Sequence, residues 1–106
     1  MSSSESDISA FLEQFKFFAT GTGYRFIGRD KNMEALIDLE IDHYQALNDI
    51  ILQLKPEHYC KGPEEDRDYP KYNVWVFEYN YEGNKLYVKL SDNFSHGLAK
   101  CISLHK

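Results

Sequence analysis

The chain has 106 residues, which is enough for one domain with a single hydrophobic core and too few for two. Hydrophobic residues make up 42% of it, aromatic residues 15% and charged residues 27%, and this composition excludes both an intrinsically disordered chain and a membrane-embedded one. The net charge of -5 argues against a nucleic-acid partner, yet residues 71–106 carry 5 Lys against 3 Asp and Glu, which is compatible with a locally basic surface.

The start of the chain and its two cysteines predict a reduced, cytoplasmic protein. Residues 1–5 are polar and lack the basic region of an export signal, and no apolar run approaches the ~20 residues that a bilayer requires. Cys60 and Cys101 are too few for a disulfide-stabilised secreted domain and lack the spacing of metal ligands. We therefore expect free thiols, a cytoplasmic location, no membrane association and no metal or other cofactor.

The first predicted helix covers residues 7–19, with Asp7 as its cap and Gly21 and Gly23 after its end. A short strand over residues 24–27 follows, because this segment is rich in strand formers and is bounded by glycines. The apolar residues of the helix recur at the spacing of one helical face and are Ile8, Phe11, Leu12, Phe15 and Phe18.

Two further helices are predicted before residue 56. Asp30 is the expected N-cap of the second helix, and Asp42 with Gln45 forms a capping-box-like start to the third, which Pro56 ends. The apolar stripe expected in the second helix is Met33, Leu36, Ile37 and Leu39. The inward residues expected in the third helix are Ala46, Leu47, Ile50, Ile51 and Leu54.

The second half of the chain predicts a loop and then a meander. Residues 62–71 have the composition of a solvated loop. Three strands joined by polar turns follow, over residues 73–81, 85–90 and 98–105. The sequence thus predicts an α+β fold in which N-terminal helices pack on one face of a mainly antiparallel sheet that ends in a three-stranded meander.

Alternation along these strands sorts their side chains onto two faces. The face expected to pack against the helices carries Trp75, Phe77, Tyr79, Leu86, Val88, Leu90, Ile102 and Leu104. The other face holds two lysines, which are costly to bury, and is expected to be open. Its residues are Val74, Val76, Glu78, Lys85, Tyr87, Lys89, Cys101, Ser103 and His105. The rings of Trp75 and Phe77 could stack on RNA bases, but packing in the core is the simpler interpretation.

The open face gathers the groups that metal-free cleavage of a phosphodiester requires. A base must take the proton of a ribose 2′-hydroxyl, an acid must protonate the leaving 5′-oxygen, and a cation must offset the charge that grows on the phosphorus oxygens. The carboxylate, phenol, ammonium, hydroxyl and imidazole of this face belong to Glu78, Tyr87, Lys89, Ser103 and His105. Polar side chains are also ordinary on an exposed sheet face, so a face without catalytic function remains the alternative.

Four segments give the chain a resemblance to a known family. They are residues 54–63 (LKPEHYCKGP), 74–77 (VWVF), 85–90 (KLYVKL) and 101–105 (CISLH). In their order and spacing the chain resembles the MqsR-type toxins of bacterial type II toxin/antitoxin systems, which are mRNA interferases with the RelE-like fold. The resemblance covers residues 24–106. It implies an endoribonuclease that acts on mRNA without a metal and that a cognate antitoxin, carrying a helix-turn-helix domain, holds inactive.

The resemblance also implies roles for individual residues. Lys61, in the segment after the third helix, matches an RNA-cleaving lysine of the family. Tyr87, with Lys89 two residues on, matches the strand tyrosine of the family's Tyr-x-Lys motif. His105 takes the place of a basic residue near the end of the last strand. We expect Lys61, Tyr87 and His105 to be catalytic and Lys89 and Ser103 to bind RNA.

One departure from the family pattern affects the expected site. A glutamine that follows the strand tryptophan in the family is replaced by Val76. Glu78 lies two residues further along the same face and could supply a polar group, so that Glu78 and His105 would be the general base and acid. The departure keeps open a second interpretation, in which the domain has the same fold and binds RNA or protein without catalysis.

Overall fold

A five-stranded mixed sheet lies at the centre of the fold in the computed structural model, which describes residues 3–106. In chain order the described helices and strands are α1 (Glu5–Thr20), β1 (Tyr24–Phe26), α2 (Asp30–Leu39), α3 (His43–Asp49), β2 (Tyr59–Glu65), β3 (Asn73–Tyr81), β4 (Asn84–Ser91) and β5 (Ala99–His105). The strand order is β1-β5-β4-β3-β2; β1 pairs with β5 in parallel, and the other neighbours are antiparallel. The predicted α+β fold and C-terminal meander are confirmed. Within residues 3–106, no helix has the length and apolar character needed to cross a membrane.

The hydrophobic core lies between the helices and one face of the sheet. Phe11 of α1 stacks on Trp75 of β3, with ring centroids 4.6 Å apart and planes 5° from parallel. Phe77 is fully buried in the same cluster. Trp75 and Phe77 thus pack in the core, as the simpler interpretation predicted, and are not available for stacking on bases.

Helix α1 begins two residues before the predicted start because Ser4, and not Asp7, caps it. The Ser4 hydroxyl accepts a hydrogen bond from the backbone N–H of Asp7 at 3.1 Å. Asp7 instead lies in the first turn, where a negative charge interacts favourably with the helix dipole. The helix ends at Thr20, one residue after the predicted end, with the N–H of Gly21 bonded to the carbonyl of Phe18.

Helix α2 buries a face that is rotated from the predicted one, because Leu36 and Leu39 are buried as predicted whereas Met33 and Ile37 are not. Met33 and Ile37, expected to face inward, are 45% and 73% exposed. Arg29 is the N-cap residue and makes no side-chain capping bond, so the prediction of Asp30 as the cap is wrong. The buried residues of α2 are Asn32, Ala35, Leu36 and Leu39. The buried stripe of α2 is rotated from the predicted one because Asn32 faces inward. There its side-chain amide donates hydrogen bonds to the backbone carbonyls of Ile27 and Ile102.

Helix α3 starts as predicted and is shorter than predicted. The Asp42 carboxylate accepts a hydrogen bond from the N–H of Gln45 at 2.8 Å. The α-helix ends at Asp49, and a 3₁₀ turn over Ile51–Gln53 continues the chain toward Pro56. All five residues predicted to face inward are buried, namely Ala46, Leu47, Ile50, Ile51 and Leu54.

Strand β2 begins before the segment predicted as a loop, residues 62–71, and includes its first four residues. Its pairing with β3 shifts register on both sides of Lys61. Gly62 has φ 119°, and a Cβ there would lie 2.9 Å from the carbonyl oxygen of Val74, so only glycine fits. The prediction failed because Gly62, Pro63 and the acidic residues after them are typical of loops, whereas an irregular edge strand tolerates them.

Strand β5 contains a bulge that changes which side chains face the core. Two consecutive residues of β4 pair with Ser103 and Cys101, so Ile102 is an extra residue in β5. Cys101 is fully buried in the core and Ile102 is not part of it, which reverses the predicted faces of both. After the bulge, Leu104 lies in the core and His105 is only half-buried, as predicted.

Candidate functional site

A first row of side chains crosses the open face of the sheet over four strands. Lys61 pairs with Val76, Val76 with Lys89, and Lys89 with Ser103. Directly opposed residues have Cβ atoms about 4.5–5.5 Å apart, so the two lysines flank Val76. Val76 is 2% exposed although it lies outside the helix-side core.

A second row lies two residues further along the strands. Glu78 pairs with Tyr87, and Tyr87 pairs with His105. The rings of Tyr87 and His105 have centroids 6.0 Å apart and planes at 37°. Glu78 and His105 are therefore on either side of the phenol, with two strand spacings, or roughly 10 Å, between their backbones. All three side chains are half-buried.

The two rows together contain every residue that the sequence analysis assigned to the site. The six residues on this face are Lys61, Glu78, Tyr87, Lys89, Ser103 and His105. The rows are about 6.4–6.8 Å apart along the strands, since they are two residues apart and each residue of a strand advances about 3.2–3.4 Å. Side chains of this length can reach a common ligand from both rows.

A groove with a volume of about 850 Å³ takes up part of this face, between the start of α2 and the loop that joins β2 to β3. The predicted residues that line it are Lys61, Lys89, Ser103 and His105. Tyr87 is outside the lining, beside His105. Glu78 lines a separate, smaller hollow together with His58 and Lys85. Four of the six predicted residues thus line the groove, whereas Tyr87 and Glu78 do not.

The charges around the groove are balanced. The basic residues of the lining are Arg29, Lys31, Lys61, Arg67 and Lys89, and the acidic ones are Asp30, Glu64, Glu65, Asp66 and Asp68. Lys61 Nζ is 3.6 Å from Glu64 Oε2, and Arg29 Nη2 is 3.0 Å from Asp68 Oδ2. Side chains in both pairs are about half exposed, so the pairs contribute little to stability and can exchange for a ligand.

Glu78 has two polar neighbours of its own. Its Oε2 is 3.5 Å from Lys85 Nζ, and its Oε1 is 3.6 Å from Cys60 Sγ. The Tyr87 side chain first, and the charge of Glu78 second, raise the pKa of Lys85. Partial burial first, and the charge of Glu78 second, raise the pKa of the Cys60 thiol. Glu78 is therefore a carboxylate with an ammonium group at one oxygen and a neutral thiol at the other.

Asn32 is a structural contributor to the site that the sequence analysis missed. Its Nδ2 donates to the carbonyl oxygens of Ile27 at 2.8 Å and Ile102 at 2.9 Å. Its Oδ1 accepts from the N–H of Leu104 at 3.2 Å and the hydroxyl of Ser103 at 3.4 Å. The side chain uses its full hydrogen-bonding capacity on β5 and the segment after β1. In the sequence, the signal for an inward Asn32 is its helical spacing from the apolar residues Ala35, Leu36 and Leu39.

The open face offers the groups of general acid–base chemistry on an anionic ester. A carboxylate and an imidazole flank a phenol, and two ammonium groups and a hydroxyl form the adjacent row. Such a set can bind a phosphate and move protons to and from its ester oxygens. Among residues 3–106, no group of three His, Cys, Asp or Glu side chains is arranged to hold a metal ion.

Comparison of the chain with protein-family models, with curated proteins and with solved structures gave no match.

Proposed function

We propose that this protein is an endoribonuclease that cleaves mRNA without a metal ion, and that the two rows of the open face form its active site. The observation that carries the proposal is the cross-strand row of Glu78, Tyr87 and His105, next to a row that contains Lys61 and Lys89. A base, an acid and paired cations lie within one short stretch of sheet. This is the minimum set for transesterification of RNA.

Two residues handle protons in the proposed reaction. Glu78 takes the proton of the ribose 2′-hydroxyl, and the 2′-oxygen attacks phosphorus to form a 2′,3′-cyclic phosphate. His105 in its protonated form gives a proton to the 5′-oxygen as the bond between phosphorus and that oxygen breaks. Their places on either side of Tyr87 support this division, because the attacking and leaving oxygens are on opposite sides of the phosphorus.

The remaining residues bind the scissile phosphate. Lys61 and Lys89 flank Val76 and offset the charge of the phosphate oxygens as the reaction proceeds. The phenol of Tyr87 orients the phosphate, and the Ser103 hydroxyl binds the RNA beside Lys89. The apolar Val76 contributes no polar contact, and Glu78 on the same face supplies one.

We further propose that the chain is a RelE-like toxin of the MqsR type. The four resembling segments support this, as does the arrangement of helices on one face of a mixed five-stranded sheet. In that assignment mRNA in the cytoplasm is the substrate. A cognate antitoxin protein with a helix-turn-helix domain holds the toxin inactive.

The charge balance of the groove favours a second candidate function. Five carboxylates line the groove beside five basic residues, and carboxylates repel the RNA backbone. A domain of the same fold that binds RNA or protein without cleavage would tolerate these acids and the loss of the family's glutamine at Val76. The two candidates differ in whether RNA is broken.

Expression in a bacterial host separates the two candidates. If the chain is a toxin, the wild-type protein arrests growth and fragments transcripts. His105→Ala loses both effects, whereas His43→Ala, which removes an exposed imidazole far along the chain from the site, keeps them. Growth of all three strains with intact transcripts, at equal protein levels, would instead favour the binding domain. Restored growth on co-expression of the neighbouring reading frame would support the antitoxin.

A further inference from the structure

The outward side of α2 carries two parallel ridges of side chains, one apolar and one acidic. Met33 and Ile37 are four residues apart and are 45% and 73% exposed. Asp30, Glu34 and Asp38 are also spaced four apart, and all are exposed. Residues four apart form a continuous ridge on a helix, so the acidic ridge runs alongside the apolar one.

Neither ridge is matched by the described part of the chain. The ion pairs found among residues 3–106 involve none of the three carboxylates. Like charges four residues apart destabilise a helix, so a cation beside this ridge would stabilise α2. The inner side of α2 is already committed to the core through Leu36 and Leu39. The outward side can therefore be covered without any change in the fold.

We propose that this face of α2 docks a basic amphipathic helix of another protein. Apolar side chains of the partner cover Met33 and Ile37, and its Lys or Arg residues face the acidic ridge. A helix is the matching shape because ridges of residues four apart pack into the grooves between the same ridges of another helix. This inference does not depend on the proposed nuclease function.

The negative charge of the acidic ridge disfavours other binding partners for this face of α2. A second copy of this chain would bring the same carboxylates against Asp30, Glu34 and Asp38, and like charges in contact disfavour the pairing. RNA and anionic lipid surfaces are repelled by the acidic ridge for the same reason. A partner with interleaved apolar and basic residues is the chemistry that satisfies both ridges.

The test uses two synthetic helical peptides and the isotope-labelled full chain. One peptide has Leu residues four apart and Arg residues in the adjoining ridge, in an Ala-rich background that favours helix. In the second peptide every Arg is replaced by Glu. Amide chemical shifts of the labelled protein give both the affinity and the location of binding.

Matched variants separate docking on α2 from general attraction to an acidic protein. Ile37→Ser and Glu34→Lys alter the two ridges. Phe17→Ser removes a ring of similar exposure, 70%, from α1, and Glu13→Lys makes the same charge change on α1. Should Glu34→Lys not give a native spectrum, Glu34→Gln takes its place.

The proposal expects the Arg peptide to shift the amides of α2 and the Glu peptide to have no effect. Ile37→Ser and Glu34→Lys should each weaken binding of the Arg peptide about tenfold, while both α1 variants bind it like the wild type. The proposal is overturned if the Arg peptide does not bind, if its shifts lie on the sheet, or if Glu13→Lys weakens binding as much as Glu34→Lys does.

Discussion

Cys101 and His105 lie on opposite faces of the sheet although they are four residues apart in one strand. In a regular strand both would face the same side, because side chains alternate with a period of two. The bulge at Ile102 breaks this alternation, so the Cys101 thiol is fully buried while the His105 ring lies beside that of Tyr87, at 6.0 Å. One extra residue thus places the thiol in the core while the imidazole stays on the open face.

Asn32 should be required for the stability of this arrangement. Asn32→Ala removes the side-chain partner of the Ile102 carbonyl and the Leu104 N–H in a buried region, and leaves the Ile27 carbonyl with only its bond from the N–H of Arg29. We expect the free energy of unfolding to fall by about 2–4 kcal/mol, measured by urea denaturation. Asn48→Ala, at an exposed helix position, should change it by less than about 0.5 kcal/mol. Equal effects of the two substitutions would contradict the bonding described for Asn32.

Two tyrosine-to-phenylalanine substitutions should change stability in opposite directions. The buried Tyr24 hydroxyl has no hydrogen-bond partner within residues 3–106, whereas that of Tyr59 donates to the carbonyl oxygen of Gly62 at 2.5 Å. Tyr24→Phe should stabilise the fold by about 1 kcal/mol, and Tyr59→Phe should destabilise it by a similar amount. Thermal and urea unfolding of both variants measure whether the free energy of unfolding rises or falls. A loss of stability in Tyr24→Phe would show that the hydroxyl has a partner.

The effect of Tyr24→Phe should also grow in alkaline solution. Burial first, and the charge of the Cys101 thiolate second, raise the pKa of Tyr24 above its usual value of 10.0. The unfolded chain then loses this proton before the folded chain does, so the wild-type protein loses stability as the pH rises above about 10. The Tyr24→Phe variant has no hydroxyl at this position, so it does not lose stability for this reason. Urea denaturation at pH 9 and pH 11 should show a larger difference between the two proteins at pH 11.

The two thiols should differ sharply in reactivity. Cys60 is exposed and should react with iodoacetamide in the native protein, whereas burial raises the pKa of Cys101 to about 12 and blocks access to it. Glu78→Gln removes a charge that raises the pKa of Cys60, so the thiolate fraction at pH 8 increases and alkylation becomes faster. Mass spectrometry should find one modified thiol in the native protein and two in denaturant. An unchanged Cys60 rate in the variant would contradict the contact with Glu78.

The proposed phosphate contact of Lys89 predicts a change in salt dependence. Lys89→Gln should weaken binding of single-stranded RNA and reduce the slope of log affinity against log salt by about 0.7, the value for one lost contact. Lys71→Gln removes an exposed lysine outside the groove and should leave the slope unchanged. Fluorescence anisotropy at several salt concentrations measures both. Identical slopes for the two variants would remove Lys89 from the RNA contact.

Much of the fold was predictable because its signals are local. The apolar spacing of α1 and the Asp42 cap of α3 depend on neighbouring residues alone, and both predictions hold. Strict alternation in β4 correctly separated the buried Leu86, Val88 and Leu90 from Tyr87 and Lys89 on the open face. The pairing of β3, β4 and β5 follows from the short turns between them, and it brings five of the six predicted site residues onto one face; the sixth, Lys61, reaches that face through β2.

The remaining features depend on contacts between segments distant in sequence. Asn32 faces inward only because β5 offers it backbone partners 70 to 72 residues away, and this rotation leaves Met33 and Ile37 outside. The bulge at Ile102 is visible only in the pairing with β4. Strand β2 was missed because its pairing with β3, and not its composition, makes it a strand.

The most direct test of the account is cleavage of single-stranded RNA by the purified protein in the presence of EDTA, with analysis of the product ends. The account predicts products with 2′,3′-cyclic phosphate ends from the wild type and from His43→Ala. It predicts a rate at least about 100-fold lower from His105→Ala, the loss typical of a missing general acid. Intact RNA after incubation with a folded wild-type protein, or equal rates with and without the His105 imidazole, would contradict it.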